Sequence, residues 1–247
     1  MGAPFLRFVE VHKRFGRKVV LAGVNLEVEM GETCVVLGGS GSGKSVLLRH
    51  AVGLHRPNAG EVWVDGTEIS TLDEDELLET RKKVGMLFQS GALFDSMTVR
   101  ENVSFALDEH TDWDEERILA RVEETLGLVE LEAVLDLMPS DLSGGMKKRV
   151  ALARAIALAP RAILYDEPTT GLDPITATTI NGLIRSLQKK LGVTSIVVTH
   201  DIHSAFTVGD KIAFLHEGTI LFHGTTEAAR ASKVPVLRNF LEGGGYA

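Results

Sequence analysis

Apolar side chains fall into short, β-branched runs at residues 5–11, 24–29, 33–37 and 61–64, and again at 83–88, 162–165, 195–199 and 211–216. Runs of this length, bounded by Gly, Asp or Asn, predict strands. Residues 143–158 and 174–191 instead carry apolar positions at helical spacing. Strand and helix alternate there, which predicts an α/β arrangement with parallel strands over the middle and end of the chain. The early runs are joined by short Gly-containing turns such as Met30-Gly31 and Asp65-Gly66, and these predict an antiparallel layer. No internal repeat, low-complexity tract or long linker interrupts the pattern, and Gly243-Gly244-Gly245 reads as a frayed end.

Composition adds limits rather than a function. The 247 residues suffice for one large domain or two small ones. The chain has no uninterrupted apolar stretch of about 18 residues, so no membrane-spanning helix is expected. Its first ten residues lack a basic segment followed by an apolar core, and the single Cys34 cannot form an internal disulfide. The cytosol is the expected compartment. With 26 Lys and Arg against 34 Asp and Glu, the net charge of −8 is opposite to that of a general nucleic-acid binder. Basic clusters at residues 13–18, 81–83 and 147–149 read as solvated faces when taken alone.

Chemistry enters at Gly38-Gly39-Ser40-Gly41-Ser42-Gly43-Lys44-Ser45, which fits G-x-x-x-x-G-K-[ST] and stands between an apolar strand and a helix-compatible run that begins with Val46. Such glycines let backbone N–H groups turn inward around a β-phosphate, and the following helix adds its positive end. Lys44 is placed to reach the β and γ oxygens, and Ser45 to ligate Mg²⁺. A loop of this kind needs a second carboxylate on a neighbouring strand. Residues 162–167 supply one, an apolar run ending in Asp166 and Glu167. Asp166 reads as the Mg²⁺-side ligand and Glu167 as the group that polarises the water attacking the γ-phosphate. Lys44 and Asp166 are 122 positions apart where a βαβ crossover needs only about 30, so a further unit is inserted between them.

Leu142-Ser143-Gly144-Gly145-Met146 opens a strongly helical run, and a Ser followed by two glycines at a helix start is an anion site. Together with the phosphate loop, the Asp166-Glu167 strand end and the later Gly171-Leu172-Asp173, it makes the chain resemble the ATP-binding-cassette (ABC) ATPases. Gln89 and His200, each after a predicted strand, complete the set in family order, and the resemblance runs from about residue 5 to 242. It implies the P-loop NTPase fold: a RecA-like α/β core with an antiparallel β subdomain (about 5–97 and 157–232), an inserted α-helical subdomain (about 98–156) and a tail (233–247). It implies ATP and Mg²⁺ as ligands. It also implies a head-to-tail homodimer, in which Ser143, Gly144, Gly145 and Asp173 of one subunit complete the phosphate site of the other.

By the same resemblance Gln89 touches Mg²⁺ and the attacking water, His200 grips the γ-phosphate, and Phe15, 23 positions before Gly38, stacks on adenine. His203 reads as structural and Cys34 as a small buried hydrophobe. Residues 90–103 are implied to line the groove that receives a helix of a membrane subunit. Gly39, Val46 and Met146 depart from the commonest family pattern. With Gly-Lys-Ser-Val, Leu-Phe-Gln-Ser-Gly-Ala-Leu-Phe and Leu-Ser-Gly-Gly-Met-Lys-Lys-Arg, they resemble the ATPase of Mla or MCE lipid transporters. That subfamily implies a permease of the MlaE kind, an MCE-domain subunit and a place on the cytoplasmic face of the cell (inner) membrane. Val234, Val236, Leu237, Phe240 and Leu241 form one apolar helix face whose cover is either this domain or the partner subunit. A small-molecule kinase, a non-transport ABC ATPase and a nucleotide-sensing scaffold without turnover are the competing readings. The signature helix, the single cassette with acidic charge, and intact Glu167 with His200 speak against them in turn.

Overall fold

The computed structural model describes residues 3–243. In chain order it comprises β1 (Leu6–Phe15), β2 (Lys18–Val28), β3 (Thr33–Leu37), α1 (Lys44–His50), β4 (Ala59–Val64), β5 (Thr67–Glu68), α2 (Glu74–Lys82) and β6 (Val84–Leu87). There follow α3 (Val99–His110), α4 (Glu115–Leu128), a 3₁₀ turn (Pro139–Asp141), α5 (Gly144–Ile156), β7 (Ala162–Asp166), α6 (Pro174–Leu191), β8 (Thr194–Thr199) and α7 (Ile202–Val208). β9 (Lys211–His216), β10 (Thr219–Thr225), α8 (Thr226–Arg230) and α9 (Pro235–Leu241) complete the chain.

Two sheets result. One is antiparallel with strand order β2-β1-β4-β5; the other has the order β10-β9-β3-β8-β7-β6 and is parallel except for β10. The second is buried on both faces, and the period of two explains how. In β3, Cys34 and Val36 join a core shared with the antiparallel layer and α1, while Val35 and Leu37 join the opposite core against the helices. Every residue of β3, β7 and β8 is buried, as a central parallel strand requires. This α/β core with its antiparallel layer is the fold class expected from the sequence.

Helix starts follow local chemistry. Asp73 and Thr98 each close a capping box with the Glu three residues on, and Ser143, Asp173 and Asp201 cap α5, α6 and α7 through side-chain oxygens. Helices α3 and α4 pack on α5, which also packs on β6 and α6.

Several strand readings need correction. Met30-Gly31 does not join two antiparallel strands; it carries the chain from β2 into β3 of the parallel sheet. The first hairpin runs on through residues 12–23, turning at Gly16 with φ +58°, because its polar stretch pairs strand to strand while facing solvent. β10 was not expected. It is an edge strand with one face exposed, so its apolar content is too low to announce it. The tail packs on its own domain: Leu237 is fully buried, and the Phe240 ring lies 5.4 Å from that of Phe214. Gly243 closes a turn on the Phe240 carbonyl, and Gly244 and Gly245 lie outside the described residues.

Candidate active site

Register assembles the site. Leu37 pairs with Thr199 across β3 and β8, Asp166 with Val198 across β7 and β8, and Leu87 with Tyr165 across β6 and β7. The carboxyl ends of four parallel strands therefore finish together, and the residues that follow them, Gly38, His200, Glu167 and Gln89, meet at one edge of the sheet.

The phosphate loop makes a tight cradle between β3 and α1. Gly41 and Gly43 have φ of +77° and +106°, a region that favours glycine. A Cβ on Gly38 would come within 2.3 Å of the Leu215 carbonyl oxygen, so the backbone passes where no side chain fits. No side chain caps α1, which leaves its first N–H groups directed at the loop. The Lys44 ammonium is 5% exposed and donates to the carbonyls of Gly38 (2.9 Å) and Gly39 (3.0 Å). It also lies 3.3 Å from Glu167 Oε1.

Glu167 is the hub. Its backbone sits at φ +47°, unusual for a residue with a Cβ, and its N–H is fixed on the Val198 carbonyl at 2.9 Å. Oε2 accepts from Thr170 Oγ1 at 3.2 Å and lies 2.9 Å from His200 Nδ1. A buried carboxylate is thus held between a lysine and an exposed histidine, facing a cleft of about 440 Å³. Behind it Ser45 Oγ donates to Asp166 Oδ1 at 2.6 Å.

Phe15, Ser40, Gly41, Gly43, Lys44, Ser45, Val46, Gln89, Glu167 and His200 all line that cleft. Gly38 and Gly39 form its base through the carbonyls that hold Lys44, Asp166 is reached through Ser45, and the buried Ser42 hydroxyl has no hydrogen-bond partner. An orphaned hydroxyl inside a glycine cradle beside a buried lysine suits a phosphate. A hydroxyl with one carboxylate and an amide suits Mg²⁺, which keeps waters and substrate oxygens as its other ligands. Among the described residues there is no group of three or more His, Cys, Asp or Glu that would hold a metal without such help.

Ser143, Gly144, Gly145 and Asp173 are not brought to this cleft. Ser143 Oγ accepts from Met146 N at 3.3 Å, and Asp173 accepts from the N–H groups of Ile175 and Thr176 and from Thr176 Oγ1. Those bonds, the one from Thr176 Oγ1 foremost, hold the Asp173 carboxyl below its ordinary range. Gly145 lies against Thr176, where a Cβ would meet its methyl at 2.6 Å. The two segments form one exposed surface of their own.

Three participants escaped the sequence reading. Lys18 and Val20 line the cleft beside Phe15. Lys148, read as part of a solvated basic cluster, is 6% exposed and donates to the Gln89 carbonyl. The signal was there: 148, 152 and 156 fall on one helical stripe, and Leu152 and Ile156 are core. Cys34 is fully buried, and burial pushes its thiol up, as a small hydrophobe's would be.

A glycine cradle with its lysine, a strand-end carboxylate pair and a histidine at the carboxyl edge of a parallel sheet define a P-loop nucleoside-triphosphatase. The more particular assignment comes from relatives, since the ABC transporter family model matches residues 21–170 and the chain belongs to that family, as an ATP-hydrolysing subunit. It is 41% identical to the intermembrane phospholipid transport system ATP-binding protein MlaF of Escherichia coli, over 92% of this chain and 85% of that one. The probable ribonucleotide transport ATP-binding protein mkl of Mycobacterium tuberculosis is also 41% identical, over 98% and 68%. The ATP-binding cassette MJ0796, solved as a post-hydrolysis dimer bound to ADP and Pi, superposes with a TM-score of 0.82 at 36% identity, over 89% and 98%. Structure cbiO1 from Clostridium perfringens, part of the complex cbiONQ, gives 0.85 at 30%, over 97% and 96%.

Proposed function

We propose that two copies of this chain close head to tail around two ATP-Mg²⁺ and use hydrolysis to drive a membrane permease that moves phospholipid or another hydrophobic molecule. The observation that carries the two-copy reading is the separation just described. Each chain has a complete phosphate cleft and, elsewhere, an exposed anion-binding helix start with nothing of its own to bind. In a closed pair Ser143, Gly144 and Gly145 of one subunit cover the phosphates held by the other, and Asp173 lies at the same seam.

Within the cleft, Phe15 stacks on the base and the cradle N–H groups with Lys44 hold the phosphates. Glu167 orients and polarises the water, and His200 fixes that carboxylate and reaches the γ-phosphate. Ser45 and Gln89, with Asp166 behind Ser45, would hold Mg²⁺, which would supply charge neutralisation for the phosphates. Loss of the γ-phosphate removes contacts to both copies and releases them.

The permease has a candidate seat. A groove of about 420 Å³ is lined by Leu78, Met86, Phe88, Phe94, Phe105 and Leu158, with Arg81, Lys82 and Arg154 among its walls. Phe94 and Phe105 are exposed with rings 4.9 Å apart, which suits an apolar helix face. Among the described residues no helix is long and apolar enough to cross a membrane; in this reading the path is the permease's, and the chain docks on it from the cytoplasmic face. The likeness to MlaF and the phosphate-loop, Gln89 and signature segments support lipid as the cargo, and an MCE-domain subunit as a third partner. The mycobacterial relatives, named for ribonucleotides, set the rival cargo. Purification from native membranes with lipid analysis tests both: a multi-span subunit with bound phospholipid is expected, and recovery with nucleotide cargo, ribosomes or DNA overturns the reading.

A further inference from the structure

Helix α5 grips the Gln89 loop with two cations. Arg154 donates to the carbonyls of Gly91 and Ala92, both at 2.9 Å, and Lys148 donates to that of Gln89 itself. Three of four consecutive carbonyls are thus held by one helix, the helix that begins at Ser143-Gly144. Lys148 as a residue is only 6% exposed, and a buried ammonium is costly without compensation. Burial pulls the Lys148 ammonium down, and the charges of Asp166 and Glu167 offset part of that. Lys148 is not among the residues that line the cleft.

We propose that Lys148 is a positioning residue for Gln89: it fastens the Gln89 carbonyl to α5, so that the amide is presented to the cleft only while the signature helix is in place. Arg154, whose guanidinium also lies over the Phe94 ring at 5.6 Å, fastens the same loop at its groove end. The groove, the Gln89 loop and the signature helix then move as one body, and a shift in the seat of the partner reaches the cleft without altering the phosphate cradle. This rests on the role proposed for Gln89.

A double-mutant cycle on the full chain tests it, with steady-state ATP hydrolysis in Mg²⁺ as the readout. Lys148→Met is expected to lower kcat about tenfold while KM for ATP stays within about twofold, because the cradle is untouched and only the geometry of Gln89 loosens. Lys148→Arg, which keeps a donor, restores most of the loss. In a Gln89→Ala background Lys148→Met costs nothing further, since it acts only through that amide. A merely structural lysine gives losses that multiply in the double variant, and that result overturns the proposal, as does an unchanged kcat in Lys148→Met. If Lys148→Met does not fold, Lys148→Gln retains a shorter neutral donor. An intermediate kcat, silent in the Gln89→Ala background, is then expected, and a wild-type kcat overturns the role. Gln89→Ala at wild-type rate removes the Gln89 assignment and this role with it. Slowing by Gln89→Ala but not by the Lys148 variants removes the positioning role alone.

Discussion

The phosphate cleft and the signature surface are both built from glycines at the start of a helix, yet they stand in opposite conditions. In the cleft the charged groups satisfy one another: Lys44 lies against Glu167, Glu167 against His200, and Ser45 against Asp166. At the signature surface Ser143 and Asp173 satisfy only their own helices, and the surface is exposed. The first region is held by buried parallel strands and is organised before substrate arrives. The second, set on helices that pack on the edge of the core, presents donors outward. Chemistry and closure are therefore separable, and variants can break one without the other.

The largest effect is expected at Glu167→Gln. Losing the carboxylate that polarises water lowers ATP hydrolysis by about 10²–10⁴-fold, while the cradle and the signature surface are intact. ATP-bound dimers then accumulate. Light scattering with ATP and Mg²⁺ checks this, and a variant that stays monomeric ends the two-region view.

The cleft side also carries a pH dependence of its own, set by burial. His50, in the last turn of α1, is 1% exposed; its Nδ1 bonds to the Val46 carbonyl at 2.7 Å and its Nε2 has no partner. A second proton has nowhere to go, and burial pushes the imidazole down to about 4. The unfolded chain takes up that proton near pH 6.5 and the folded chain does not. Stability is therefore full above 6.5 and falls by about 3 kcal/mol as the pH drops towards 4. Chemical denaturation between pH 7 and 4 should show this slope, flattened in His50→Gln; a wild type as flat as the variant would refute it.

Gly145→Ala probes the signature side with a smaller effect. The new methyl meets Thr176 Cγ2 at 2.6 Å, and such overpacking costs about 1–3 kcal/mol. Thr176→Ser removes that methyl while keeping the hydroxyl on Asp173, so the double variant should recover part of the melting temperature. No recovery would mean that the backbone, not the methyl, decides the contact.

Much of the cleft was legible in the sequence because it is local: a glycine that needs positive φ, the lysine after it and two acids ending an apolar run are neighbours in the chain. The antiparallel layer and the α/β core were legible from hydrophobic period. What was not legible is where a polar residue escapes its usual environment. Lys148 looked like one cation among three, and only the packing of α5 against the Gln89 loop makes it buried. β10 looked too polar for a strand because an edge strand hides one face only. The tail showed an apolar stripe but not what covers it; Phe214, some 26 positions away, does.

The sequence by itself therefore determined the kind of chemistry, the order of its parts and the class of fold, since each rests on backbone conformation or side-chain period within a few residues. Tertiary structure alone decided that Lys44, Glu167 and His200 meet, because strands from distant parts of the chain must first pair in one register. It also decided that the signature stays away from the cleft of its own chain, a consequence of the helices inserted between two strands that lie side by side.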